Sequence, residues 1–155
     1  MWQALRAKVG KKRPLPPPPP KATIDGTPIC KAAIGKWGED YAAYVLESKG
    51  FHIAERNFRD NGHEIDLIAT KGNLVVFCEV KTRTLTPEML QKYGRPALAV
   101  GQKQRKHIRM AAAGYMAFYA RGKKARFDVM EIYITPDQPE MSVWKVCHLE
   151  DAFRT

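Results

Sequence analysis

The chain has 155 residues, enough for one domain with a sizeable core, and carries 26 Lys plus Arg against 16 Asp plus Glu, a formal net charge of +10. That excess favours a polyanionic partner such as DNA, RNA or an anionic membrane surface, and charge alone does not choose among them. Its three cysteines, Cys30, Cys78 and Cys147, exclude a disulfide framework and a Cys-x-x-Cys zinc site. No apolar run approaches the roughly 20 residues of a membrane-spanning helix, and the first residues lack the apolar core of a signal peptide, so a reducing, cytoplasmic setting with no membrane partner is expected.

Taken in chain order, residues 1–24 hold six basic side chains (Arg6, Lys8, Lys11, Lys12, Arg13 and Lys21) and no acid. Residues 14–20 read Pro-Leu-Pro-Pro-Pro-Pro-Pro, which is extended polyproline II because proline fixes φ and has no amide donor. Residues 1–30 are therefore read as a flexible, basic, proline-rich arm, either a solvated spacer or a docking site for another protein, ahead of a domain at 31–155. A helix is expected over 34–50, with Gly38, Ala42, Val45 and Leu46 on one face and Gly50 as its stop. Trp37, Tyr41 and Tyr44 on that helix read as core or interface in preference to base-stacking platforms.

Three apolar-rich segments follow at 52–57, 64–69 and 74–81, separated by Asn61-Gly62 and Lys71-Gly72-Asn73, and read as an antiparallel meander. A second helix is expected over 101–120, where Ile108, Ala111, Ala112, Tyr115 and Tyr119 form an apolar stripe and Lys103, Lys106 and Arg109 point elsewhere. Strands at 126–134 and 142–149, divided by a loop with Pro136 and Pro139, close the chain. The expected fold class is α/β, a mixed central sheet flanked by helices in the order α-β-β-β-α-β-β.

Charges interrupt the apolar strands at Glu64-Ile65-Asp66 and at Glu79-Val80-Lys81. A turn centred on Lys71-Gly72 would set Glu64 across from Glu79 and Asp66 across from Phe77, leaving Asp66 and Glu79 as diagonal neighbours on one face. Half-buried carboxylates on adjacent strands repel unless a positive charge lies among them, and a divalent cation answers that need. Asp66, Glu79 and the Val80 carbonyl would offer Mg²⁺ or Mn²⁺ oxygen ligands, with Glu64 a further candidate, while Lys81 returns to the same face. Such a set suits phosphodiester hydrolysis, the metal polarising the phosphate and the lysine orienting water or stabilising the developing charge. An exposed hairpin with solvent-facing Glu and Lys is the plainer alternative.

Asp66 followed by Glu79-Val80-Lys81 resembles the bipartite signature of the PD-(D/E)XK nuclease superfamily. Further motifs run in order: Trp37-Gly38-Glu39-Asp40-Tyr41-Ala42, Arg56-Asn57, Glu64 to Ala69, Glu79 to Arg83, Lys103-Gln104-Arg105-Lys106 and Arg126-Phe127-Asp128-Val129. Together they resemble the YraN-like family of bacterial predicted endonucleases across 33–134. The resemblance implies a restriction-endonuclease-like, Holliday-junction-resolvase-like fold and a Mg²⁺- or Mn²⁺-dependent endonuclease acting on branched or otherwise non-duplex DNA. It also implies a place for Glu39 in the acidic cluster, Gly38 and Ala42 pressing the helix onto the sheet. Ile65 stands where the superfamily's name has proline, and His63 where the YraN-like pattern has glycine; neither removes a ligand. His63, beside a turn, is read as exposed.

Residues 89–127 contain ten Lys or Arg and no Asp or Glu. Lys103, Arg105, Lys106 and Arg109 on the second helix are the expected phosphate contacts, joined by Arg83 and by Arg95 in a Tyr93-Gly94-Arg95-Pro96 loop. The expected partner is nucleic acid, DNA before RNA, and a homodimer would fit a junction substrate. A non-catalytic nucleic-acid-binding module that retains the nuclease fold is the competing reading.

Overall fold

The computed structural model describes residues 14–18, 21, 23–24, 26–84, 88, 91, 100–135 and 141–154. The basic tail ahead of Pro14, the 93–96 loop with Arg95, and the loop with Pro136 and Pro139 lie outside these residues. A small antiparallel pair, β1 (Thr23–Ile24) and β2 (Thr27–Pro28), precedes α1 (Lys31–Ser48). Then come β3 (His52–Asp60), β4 (His63–Lys71), β5 (Leu74–Thr84), α2 (Gln102–Tyr119), β6 (Lys124–Thr135) and β7 (Ser142–Phe153). The five long strands form one sheet in the order β3-β4-β5-β6-β7, with β5 and β6 parallel and the other pairs antiparallel. This is the mixed central sheet expected; β1 and β2 form a separate two-stranded sheet ahead of it in the chain.

Local chemistry sets the boundaries. α1 ends in a Schellman motif: the Gly50 amide donates to the Glu47 carbonyl at 3.0 Å and the Phe51 amide to Leu46 at 3.1 Å, with Gly50 at φ 89. Asn61 and Gly62, at φ 48 and 79, form the two-residue turn between β3 and β4, the conformation that favours an Asn-Gly pair. Gly72, at φ 57, opens the Gly72-Asn73 turn that pairs Lys71 with Leu74.

That last turn corrects the expected register. β4 and β5 pair Leu67 with Cys78 and Ile68 with Phe77, so the ladder is two residues out from one centred on Lys71-Gly72. Both dipeptides are plausible turns, and the structure uses the one that puts glycine first, where positive φ is needed. A shift of two leaves every side chain on its own face.

The sheet is covered on both sides. Beneath α1, Ala42, Ala43 and Leu46 meet Leu67, Ala69, Val76, Cys78, Met130 and Ile132. Beneath α2, Ile108, Ala111, Ala112 and Tyr115 meet Ile65, Ile68, Val75, Phe77, Phe127 and Val129. β5 is the middle strand and needs the unbroken apolar run from Leu74 to Cys78 because both its faces are buried. Tyr119, expected in the α2 stripe, is 70% exposed at the end of the helix; its ring touches Tyr115 and, on the edge strand β3, Phe58. Among the described residues no helix is long and apolar enough to cross a membrane.

Candidate active site

The apolar run of β5 gives way to Glu79-Val80-Lys81 where the sheet forks. β4 and β5 pair no further than Leu67 with Cys78, while β4 stays paired to β3 and β5 to β6. Ile65 is buried beneath α2 and Leu67 beneath α1, so β4 rolls over at Asp66. Asn57, which sits across from Asp66 on β3, takes up the distortion with φ 50. Asp66 is thereby turned into the fork, where its Oδ2 accepts the Val80 amide at 2.7 Å in place of a strand carbonyl.

Asp66, Glu79, Val80, Lys81, Glu39 and Arg83 all border one cleft of 580 Å³ between α1 and the end of β5. Glu79 and Asp66 lie within hydrogen-bond reach of each other, and Lys81 Nζ is 3.2 Å from Glu79 Oε1. Burial, then the charge of Glu79, pushes the Asp66 carboxyl up to about 7. Burial also raises Glu79, opposed by Lys81. Glu39 is raised by burial and then by Asp66. Three acids thus border one cleft with, among the described residues, one lysine ion-paired to Glu79, which is a site short of positive charge.

Glu39 reaches the cleft because Gly38 lets α1 settle on the sheet: a Cβ at 38 would overlap the Thr82 hydroxyl. The next strand then holds the helix in place. Asn57 Nδ2 donates to Glu39 Oε2 at 3.3 Å, and Arg56 donates to Asp40 at 2.9 Å. Glu64 does not line the cleft; it pairs across the hairpin with Arg59 at 2.9 Å. His63 is partly covered, stacking on His107 with centroids 4.3 Å apart.

Two residues that sequence reasoning left without a role belong to this region. Gln104, in the first turn of α2, donates through Nε2 to Glu79 Oε1; it lies inside the Lys103-to-Lys106 motif, where attention to charge passed over it. Asn57 sits in a strand, where asparagine is disfavoured, and that misfit was its signal. The basic residues of α2 separate into roles. Lys103, Arg105, Lys106 and Arg109 line a second cleft of 550 Å³. Arg105 is also tied to the Val100 carbonyl at 2.8 Å, and Arg109 to the Arg154 carbonyl at 3.4 Å. Lys103 and Lys106 are exposed.

Comparison with known proteins settles the family. The profile of the uncharacterised protein family UPF0102 matches residues 38–132, which contains α1 from Gly38 and all of β3, β4, β5 and α2. The chain belongs to the UPF0102 family. A UPF0102 protein of Caldanaerobacter subterraneus is 38% identical over 126 residues, covering 81% of this chain and 98% of that one. Those of Chloroherpeton thalassium and Dictyoglomus turgidum are 38% and 37% identical, covering 79% and 77% of this chain and 95% and 96% of theirs. The family agrees with the YraN-like resemblance carried by the motifs, and UPF0102 membership extends to the strand fork and its carboxylates.

Among the described residues no three His, Cys, Asp or Glu side chains gather closely enough to cage a metal ion. The donors that do meet, Asp66 and Glu79, fit a hard cation that takes one or two carboxylates and draws its remaining ligands from water and phosphate.

Proposed function

We propose that this UPF0102 protein is a Mg²⁺- or Mn²⁺-dependent nuclease that hydrolyses phosphodiester bonds of branched or otherwise non-duplex DNA at the β4–β5 fork. The observation that carries this reading is the pair of half-buried Asp66 and buried Glu79, raised in pKa and bordered by Lys81 in an open cleft. Asp66 and Glu79, with the Val80 carbonyl, would hold the cation, and Glu39 would add its negative charge to the same cleft. A cation held there would supply Lewis-acid polarisation of the phosphate and a more acidic water.

The chain's own residues do the rest. Lys81 places a positive charge beside Glu79, where it orients the attacking water or meets charge growing on the phosphate. Gln104 holds Glu79 Oε1 and so fixes which oxygen faces the cleft. Lys103 and Lys106, on the same helix, grip the phosphate backbone on the approach to the fork, and Arg83 serves it within the cleft. Arg105 and Arg109 shape that basic surface from their backbone anchors.

The test is cleavage of a labelled four-way junction, flap, single strand and duplex, with Mg²⁺, Mn²⁺ or chelator. Asp66→Ala, Glu79→Ala and Lys81→Ala are each expected to lower the rate by at least about 100-fold, the size of loss typical when a preorganised electrostatic group is removed. Cleavage that survives Asp66→Ala and Glu79→Ala would rule the site out. Binding of one substrate without any cutting, equally tight in chelator, would replace the nuclease with a nucleic-acid-binding module on the same fold.

A further inference from the structure

Two sequence features stand outside this chemistry, the polyproline stretch of the arm and the aromatic column of α1, and the structure joins them. Trp37, Tyr41 and Tyr44 recur at i, i+4 and i+7, so their rings line one side of the helix. Centroids are 5.2 Å apart for Trp37 and Tyr41 and 5.4 Å for Tyr41 and Tyr44. The Trp37 indole N–H donates to the Pro18 carbonyl at 2.7 Å.

The arm carries the matching signature. Pro14 and Pro17 are partly buried, whereas Leu15, Pro16 and Pro18 are exposed, Leu15 to 86%. A polyproline II helix repeats every three residues, so the two covered prolines lie on one edge and the exposed ones on the others. Lengths agree as well. Four steps from Pro14 to Pro18 span roughly 12 Å at about 3.1 Å each, and seven steps from Trp37 to Tyr44 roughly 10 Å at about 1.5 Å each.

Polyproline II has no internal hydrogen bonds, so its carbonyls need outside donors, and its stiffness leaves little entropy to lose on docking. An indole N–H at the end of a strip of aromatic rings meets both conditions, and domains that bind proline-rich peptides use such strips. We propose that Trp37, Tyr41 and Tyr44 form a polyproline-recognition groove, occupied by the chain's own Pro14–Pro18 segment and open to a competing proline-rich peptide once that segment is displaced.

The test uses the full chain with ¹⁵N-labelled indoles, and Trp37→Phe identifies the Trp37 N–H signal by NMR. Wild type is compared with the double variant Pro14→Ser/Pro17→Ser and with Leu15→Ser on the exposed edge. The Trp37 signal is expected to move in the double variant and to stay in Leu15→Ser. Added peptide Pro-Leu-Pro-Pro-Pro-Pro-Pro should return it to the native position in the double variant, while wild type resists with at least about tenfold weaker response, because a tethered ligand competes at millimolar effective concentration. Three results would each overturn the proposal. One is an identical Trp37 signal in wild type and the double variant. Another is a wild type that responds to peptide as strongly as the double variant, which would mean the groove is not filled in cis. The third is a wild-type signal that reverts on dilution, which would seat the arm in a second copy. These readouts involve no cleavage, so they stand or fall apart from the nuclease reading.

Discussion

Asp66 on β4 and Asp128 on β6 stand on the two strands that flank β5, and the protein treats them in opposite ways. Asp128 on β6 pairs with Cys78, next to Glu79. Arg126 holds it from Nε and a terminal nitrogen at 2.8 and 2.7 Å, His148 Nε2 lies at 2.8 Å and the Asp151 amide donates at 3.0 Å. Lys49 Nζ stands 2.6 Å from His148 Nδ1; lysine can only donate, so Nδ1 accepts and Nε2 carries the proton toward Asp128. Burial raises Asp128, yet the bonds from His148, Arg126 and Asp151 outweigh it and the carboxyl ends below its ordinary value. Asp66 has one backbone amide and an acidic neighbour, and ends near 7. A carboxylate supplied with every partner by its own chain holds a fold together. One left short of positive charge is arranged for something that arrives later.

The comparison is broken most forcefully at Asp128. Replacing it with alanine strands Arg126 beside a buried hole and is expected to cost about 3–5 kcal/mol, the loss typical when one partner of a buried pair is removed. Urea denaturation at pH 7 measures it, and a loss below about 1 kcal/mol would contradict a structural role. The pH sign follows from the lowered value. Asp128's contribution is complete above its unfolded pKa of about 3.9 and disappears as pH falls through the lower folded value, so stability should drop steeply only in strong acid.

Asp66 should behave inversely. Its folded pKa is raised, so the protonated form is favoured by folding: stability is greatest below about pH 4 and declines as pH climbs through about 7. Asp66→Asn keeps an oxygen for the Val80 amide and removes the charge. In chelator at pH 8 it is expected to be more stable than wild type, on the order of 2 kcal/mol, and to lose the slope between pH 4 and 7. Adding Mg²⁺ should raise the wild-type melting temperature and leave Asp66→Asn unmoved. Equal stabilisation of both proteins would place the cation elsewhere.

The same contrast explains what the sequence could reveal. Asp66 and the Glu79–Lys81 pair announced themselves because charge interrupts an apolar strand, and a register error of two residues left them on the right faces. The Asn61-Gly62 turn and the Gly50 stop were legible because few residues tolerate positive φ. Asp128 looks like any strand aspartate beside an arginine, since the partners that complete its shell, His148 and the Asp151 amide, come from β7, contacts with no local signature. Gln104 hides in a run of cations, and Glu64 has the charge of a ligand but is taken up by its cross-strand partner Arg59 on β3, a pairing that the β4–β5 register does not reveal.

Gln104 sharpens the contrast at the site itself. Gln104→Ala frees Glu79 Oε1 without removing a carboxylate, so the midpoint of Mn²⁺ dependence should rise about 10–100-fold, the range seen when groups orienting metal ligands are lost. Stability should change by less than about 1 kcal/mol, because the amide removed is only partly buried. A metal midpoint that stays put would reduce Gln104 to a packing contact.

The smallest effect belongs to the basic face of α2, where the charges are exposed and screened. Lys103 and Lys106 are both exposed, unlike Arg105 and Arg109, whose guanidinium groups are tied to backbone carbonyls. Lys103→Ala/Lys106→Ala should therefore leave melting unchanged while weakening binding to every substrate alike. Two lost phosphate contacts predict a log–log salt dependence shallower by about 1–2 on duplex arms, since each contact releases close to one counterion. Fluorescence anisotropy across a range of KCl concentrations with catalytically silent Asp66→Asn as background reads that slope directly. If the slope stays the same, the phosphate backbone must approach the fork from another side, and α1 with its basic tail becomes the surface to mutate next.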